Sequence, residues 1–434
     1  MNKLSILFLL FFFLINCSLQ TSSSFWTKSK KIKIEKNLEI EEIFKQEKIL
    51  ENEFNSNLKI NLSSTPISNS FKNNLDNNNG RINYTGKLKN TSRYKFSKIE
   101  NFNQFEPEIV FDKDNVIFFD NKGSIIKFDN SSKLIWKKNF YTKSEKKINP
   151  ILFFGSNKDT LIVADSVAKY YAININNGEL LWSKYNSSPF NSQIKTHKNK
   201  FFVIDFENIL RCFSIKDGNE IWNFKTEKSF TKSQKKLSLV ISDNKLYFNN
   251  SIGDISAVDI NNGSLLWQTP SQKSLIYEEA FSLQTSDLVT DKKSIFFSNN
   301  KNDFFSLDIG NGIINWKQKI NSNLRPTFVD QLVFTVSNEG FLIIIDSKNG
   351  NILRITDVFE QFKKKKRKKI KPVGFILGVN DIYLTTNHGR LIIIDIISGK
   401  IKSILKIDNE LISRPFVLNQ DLYIIKNNSI IKLN

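Results

Sequence analysis

The chain has 434 residues, 40% of them apolar and 38 of them phenylalanine, which is enough for one large repeat domain or two to three ordinary ones. Its formal net charge of +20 is carried by lysine in a background rich in Asn, Ile and Phe. These residue types share AT-rich codons, so the charge is read as composition first and as attraction to anionic surfaces second. Only two Cys and two His are present, a scarcity that argues against most metal and nucleophilic-triad chemistry.

At the N-terminus Lys3 precedes an apolar run from Leu4 to Ile15, broken only by Ser5. That length suits the h-region of a signal peptide over residues 1–16 and is too short to span a bilayer. The run ends in Leu14-Ile15-Asn16-Cys17-Ser18, which resembles the lipobox of bacterial lipoproteins, with Asn16 where a small residue is usual. Cys17 is therefore the expected lipidation site. By the same resemblance, Ser18 in place of Asp favours onward transport to the outer membrane. With Cys17 acylated, Cys212 has no disulfide partner and reads as a small buried core residue. Residues 17–81 are rich in Ser, Asn and Lys and are expected to form a mostly disordered tether. Within it, Ile40, Ile43, Phe44, Ile49, Leu50 and Phe54 recur near helical spacing, predicting a short helix over 35–54.

From about residue 107 the chain repeats itself: an apolar strand, a polar turn, a second apolar strand, an Asn/Asp-Gly turn, then Trp. The second-turn glycines are Gly178, Gly218, Gly263, Gly312, Gly350 and Gly399. Trp182, Trp222, Trp267 and Trp316 stand four residues after the first four of these. Trp136 belongs to the same series, with Ser132 in the glycine position, whereas Arg354 and Ser403 replace Trp in the last two repeats. Glycine there permits the positive φ of a tight hairpin. Strands such as Phe341 to Ile345 are apolar on both faces and so must be covered on both faces. Small antiparallel sheets stacked around an axis meet that need, with each Trp docked between neighbouring sheets. The prediction is an all-β, eight-bladed propeller of four-stranded blades over 82–434. Its last blade would be closed by an N-terminal strand near 93–99, seven blades with a leftover hairpin being the alternative.

Gly253 to Trp267 resembles the quinoprotein-type (PQQ-like) propeller repeat nearly throughout. Joined to the lipobox, the pattern resembles the BamB family of outer-membrane protein assembly lipoproteins. The resemblance implies a non-catalytic scaffold, lipid-anchored at the outer membrane and facing the periplasm of a Gram-negative bacterium. Such a scaffold binds the periplasmic domains of the barrel subunit BamA, needs no cofactor or metal, and has neither nucleic acid nor small-molecule substrate as a partner. The family's Leu-Ser-Leu-Arg contact is met here only by Leu237-Ser238-Leu239 followed by Val240, so no contact residue is carried over. From the residues alone, Phe230 flanked by Lys232, Lys235 and Lys236 is a candidate partner contact.

The rival reading is a PQQ-dependent dehydrogenase-like periplasmic enzyme. No adjacent cysteine pair supports it, and Asp129, Asp259, Asp308, Asp346 and Asp395 recur with the blade, as structural rather than catalytic residues do. His197 and His388 read as surface turn residues. Lys363 to Lys369, seven consecutive cations, must form a solvated loop suited to anionic lipid or an acidic partner surface.

Overall fold

The computed structural model describes residues 52–67, 75–227, 235–271 and 284–434. Cys17, Phe230, Lys232 and nearly all of the expected helix over 35–54 lie outside them. The described chain forms eight four-stranded antiparallel sheets around an axis, an eight-bladed propeller. Blade 1 runs from β2 (Val110–Asp112) through β3 (Asn115–Phe119) and β4 (Ile125–Phe128) to β5 (Leu134–Lys138). Blades 2 to 7 repeat this order, ending with β29 (Ile401–Lys406). Blade 8 takes β30 (Phe416–Leu418), β31 (Asp421–Lys426) and β32 (Ser429–Leu433) from one part of the chain and its outermost strand, β1 (Asn90–Lys95), from another. The closing strand thus starts three residues before the expected 93–99 stretch. Phe96 and Ile99 continue the pairing as single hydrogen bonds to Asn428 and Asn427.

Within a blade the middle strands are buried on both faces and the outermost strand alternates, as in blade 3 at Lys200–Ile204, Ile209–Ser214 and Glu220–Lys225. A β-bulge recurs before the Trp position in blades 1 to 7. The extra residue leaves Ile135, Leu181, Ile221 and Leu266 exposed while re-aiming the following side chain at the next blade.

That side chain is a latch. Trp136, Trp182, Trp267 and Trp316 each donate their indole N–H to a backbone carbonyl in the third-to-fourth-strand turn of the next blade, at 2.8–3.2 Å. Trp222 packs the same way, over Gly263, without that bond. The glycine of each turn lies against the latch: a Cβ on Gly312 would sit 2.4 Å from Trp267, and one on Gly350 2.6 Å from Trp316. Glycine is therefore needed twice, for its positive φ and for the space an indole takes. Two further junctions use other residues. Arg354 sends its guanidinium to the Ile396 and Ile397 carbonyls of blade 7, over Gly399, and Tyr94 of β1 donates to Asn130 O of blade 1 at 3.1 Å. The Tyr94 junction faces Ser132, which holds φ 69 without being glycine. In blade 8 no turn joins β32 to β1, so Ser403 at the end of blade 7 has no turn to latch.

An N-terminal strap serves the blade junctions that lack tryptophan. Phe54 pairs with Ile355 on the outermost strand of blade 6, β25 (Ile352–Asp357). Leu58, Ile60 and Leu62 then pack among core residues of blades 6 and 7. After Ile67, which bridges to Ile82, the next described residues, 75–80, lie in the channel. There Leu75 O, Asp76 O and the Asn77 side chain bond to the innermost strands of blades 4 and 5. Ile82 and Tyr84 pack between blades 7 and 8, Tyr84 edge-on to Tyr383 at 4.9 Å. Lys89 and Asn434 exchange two backbone hydrogen bonds just before β1 begins. Residues 52–67 and 75–81 fall within the stretch expected to be a disordered tether, yet Ile60 and Asn77 are buried. Their apolar residues are too sparse to make a periodic pattern and match only the grooves of the finished ring.

Two outcomes are expected in urea denaturation. Gly350→Ser should destabilise by about 1–3 kcal/mol through backbone strain and the crowded indole, whereas Ser132→Gly should be neutral or stabilising; equal effects at the two turns would refute the latch geometry. Arg354→Met leaves the carbonyls of Leu58 and Ile396 without their donor and leaves Ile397 O only the Ile60 N–H. It should cost about 1–3 kcal/mol and raise hydrogen exchange over residues 54–62 more than over β1.

Candidate functional site

In every blade the innermost strand runs from one face of the ring, here the entry face, to the other, the exit face. The residues just before these strands therefore converge on the axis. Glu106 and Glu108 come from blade 1, Lys235 and Lys236 from blade 4, Asp287 from blade 5, Arg325 from blade 6 and Arg414 from blade 8. Glu108 Oε1 lies 3.1 Å from Lys236 Nζ, 3.3 Å from Arg325 Nη2 and 2.9 Å from Arg414 Nη2. Asp287 Oδ2 accepts from Arg325 Nε at 2.6 Å, and Lys235 Nζ stands 3.4 Å from Glu106 Oε1. The result is a collar of ion pairs that ties five blades together across the channel.

Burial works to raise the Glu108 carboxyl, but Lys236, Arg414 and Arg325 hold it far below the usual carboxylate range. Asp287 is likewise held down against its burial, chiefly by Arg325. A carboxylate depressed in the folded state contributes stability above its unfolded pKa and loses it only as pH falls through the folded value. Glu108 and Asp287 therefore stay charged through mild acid. Deeper in the channel Lys195 donates to Asn77 Oδ1 at 2.6 Å. Its burial, with Arg325 nearby, pulls its pKa down to about 7.

A recurring serine positions part of this collar. The Ser286 hydroxyl accepts from Ser298 N–H at 2.9 Å and donates to Asp287 O at 3.1 Å. Ser413 does the same between Ile425 and Arg414, and Ser192 between Ile204 and Gln193. Each hydroxyl pins the backbone where the next side chain turns to the axis. The sequence signal for these residues is a Ser-polar dipeptide ahead of a blade's first strand: Ser192-Gln193, Ser286-Asp287 and Ser413-Arg414.

On the entry face the collar opens into a depression of about 360 Å³, lined among others by Phe102, Phe105, Glu106, Lys235, Leu324 and Arg414. Toward the exit face a larger cavity of about 1060 Å³, beside Lys195, is bounded by the innermost strands and turns of blades 1 to 3 and by Leu75. Lys235 and Lys236, expected as free basic flanks of a partner contact, are instead largely buried in ion pairs with Glu106 and Glu108. The reason is that they immediately precede β14 (Leu239–Ser242) and so turn inward with the other axial residues.

The tryptophans lie on the outer wall, far in function from this mouth. Cys212 is buried, and its burial pushes the thiol up to about 12, which makes it a poor nucleophile. The repeated aspartates cap turns: Asp308 Oδ1 accepts from the N–H groups of Gly310 and Asn311, and Asp346 Oδ1 from those of Lys348 and Asn349. His197, expected in a surface turn, instead ends the innermost strand of blade 3 (Lys195–His197) and is half-buried, whereas His388 sits in an exposed turn of blade 7 beside Asn387. Among the described residues no three or more His, Cys, Asp or Glu are grouped as metal ligands would be.

Comparison with the curated proteins gives no match. Among solved structures, BamB from Moraxella catarrhalis superposes with a TM-score of 0.66 at 14% identity, covering 80% of this chain and all of that one. The quinohemoprotein alcohol dehydrogenase from Comamonas testosteroni superposes with a TM-score of 0.61 at 10% identity, covering 81% of this chain and 78% of that one. At such identities both likenesses establish the propeller fold alone. The family model described as outer membrane protein assembly factor BamB matches residues 98–356, more than half of the sequence, and so the chain belongs to the BamB family.

Proposed function

We propose that this chain is a non-catalytic scaffold lipoprotein of the outer-membrane β-barrel assembly machinery. It is anchored through acylated Cys17, faces the periplasm and docks on the periplasmic domains of a BamA-like subunit. The observation that carries this reading is the family match, which takes in most of the entry-face mouth, residues 102–107, 235–236, 284 and 323–324, the rest of the lining, 372–373 and 411–414, lying beyond it. Loops on a rigid frame are where binding residues concentrate. The mouth offers what a protein partner needs: half-buried Phe105 and buried Phe102 for contact area, ringed by charges of both signs. In this reading no bond is made or broken, and the ring holds its partner in place.

The full chain, purified from detergent-solubilised membranes, should bring a barrel-assembly subunit with it; an eluate without one sinks the proposal. Asn103→Arg with Gln104→Arg, both at exposed positions of the mouth outside the ion-pair collar, should lower that recovery about tenfold, equivalent to roughly 1.4 kcal/mol, with unchanged melting. Lys198→Glu, on the exit face, should leave it intact. A quinone-dependent dye-reduction assay of the same preparation should read background.

A further inference from the structure

The cationic run is an ordered part of the entry face. Lys363–Lys369 follows the outermost strand of blade 6 and includes a single helical turn at Lys364–Arg367. Val358, Phe359 and Ile370 on either side are buried, and the Phe359 and Phe362 rings meet at 5.9 Å. Asn387 of blade 7 closes the far end: its Oδ1 accepts from Lys371 N–H at 2.8 Å and its Nδ2 donates to Lys369 O at 3.1 Å. Only Arg367 turns back, into an ion pair with Asp357. Lys363, Lys364, Lys365, Lys366, Lys368 and Lys369 are exposed, and no ion pair among the described residues engages them. Lysines elsewhere on the ring do find acids, as Lys127, Lys137, Lys317 and Lys402 show. Six like charges on a fixed backbone repel one another and are relieved only by an external anion.

What brings that anion is read from where the N-terminal chain joins the ring. Glu53 Oε1 accepts from Asp357 N–H at 3.0 Å, and Asp357 is the same residue whose carboxylate holds Arg367. One residue on, Phe54 pairs with Ile355. Residues 52–54, the first described, therefore stand at the corner that carries the lysines, downstream of Cys17 in the sequence. Membrane attachment through Cys17 would act on the ring at this corner and bring the lysines toward the headgroups.

We propose that Lys363–Lys369 is a second membrane contact, an electrostatic platform for anionic lipid headgroups that orients the ring on the bilayer holding its N-terminus. Stable attachment of a lipidated protein calls for two signals, and a polybasic patch beside an acyl chain is one such pair. The proposal rests on the lipoprotein reading for its anchor, but its test reads the lysines directly.

The full chain is bound to saturating vesicles of phosphatidylcholine, with or without about one third phosphatidylglycerol, and exposed amines are labelled and mapped by mass spectrometry. Labelling of Lys363–Lys369 should fall about fivefold on the anionic vesicles only and recover in about 0.5 M salt, while Lys133 on the exit face is unchanged. The chain with all six lysines replaced by Gln should lose the salt-sensitive part of its flotation with anionic vesicles. Equal labelling on both vesicles overturns the proposal. So does protection that requires added membrane protein irrespective of lipid charge, which would assign the lysines to an acidic protein instead. Acylation is read separately, from the mass of the N-terminal peptide: an unmodified Cys17 removes the lipoprotein reading, while the labelling contrast still decides the platform.

Discussion

The ring depends on one repeated contact: a side chain from the outermost strand of one blade seated over the turn of the next. A single blade buries its middle strands only when neighbours cover both faces, so stability resides in junctions rather than in blades. At four of the five Trp junctions the contact joins a large apolar area to one hydrogen bond, and at all five glycine beneath the indole lets the two sheets approach. Where glycine is absent, at Ser132, the slimmer Tyr94 latches instead. Where tryptophan is absent, Arg354 keeps the donor role, bonding two carbonyls of the next blade and one of the strap. Burial pulls its pKa down to about 10, which still leaves it charged at neutral pH.

The charged collar answers the opposite problem. Blades packed around an axis leave a channel, and the strand entries of several blades point charged side chains into it. Glu108 alone meets three cations from three different blades. Such pairs set which blade faces which and add little net stability, since desolvation offsets much of the attraction. The strap fills part of what remains, with Asn77 satisfying groups from the third, fourth and fifth blades. A frame closed at the wall, the axis and the seam can present its entry-face loops without deforming.

Much of this was legible in the residues. The Gly-to-Trp interval marked the turns, the doubly apolar strands demanded stacking, and the count of strand pairs called for a closing strand from upstream, which β1 supplies. The site was legible only in part. Lys235 and Lys236 were singled out, but as free cations, because nothing local reveals that Glu106 and Glu108, more than a hundred residues earlier, await them. Asn77 read as linker for the same reason: its partners, Gln193 and Lys195, Ser238 and Leu239, and Leu288, come from three distant stretches of chain.

By itself the sequence determined the blade, because hairpin turns, strand lengths and two-faced burial are set by residues within about forty positions of one another. Tertiary structure decided what sits between blades. That Tyr94, Trp316 and Arg354 perform one task follows from position on the ring, since an aromatic hydroxyl, an indole and a guanidinium share no sequence signature beyond a donor at the end of a long side chain. The axis and the seam lay equally beyond local reading, for their geometry exists only once the ring has closed.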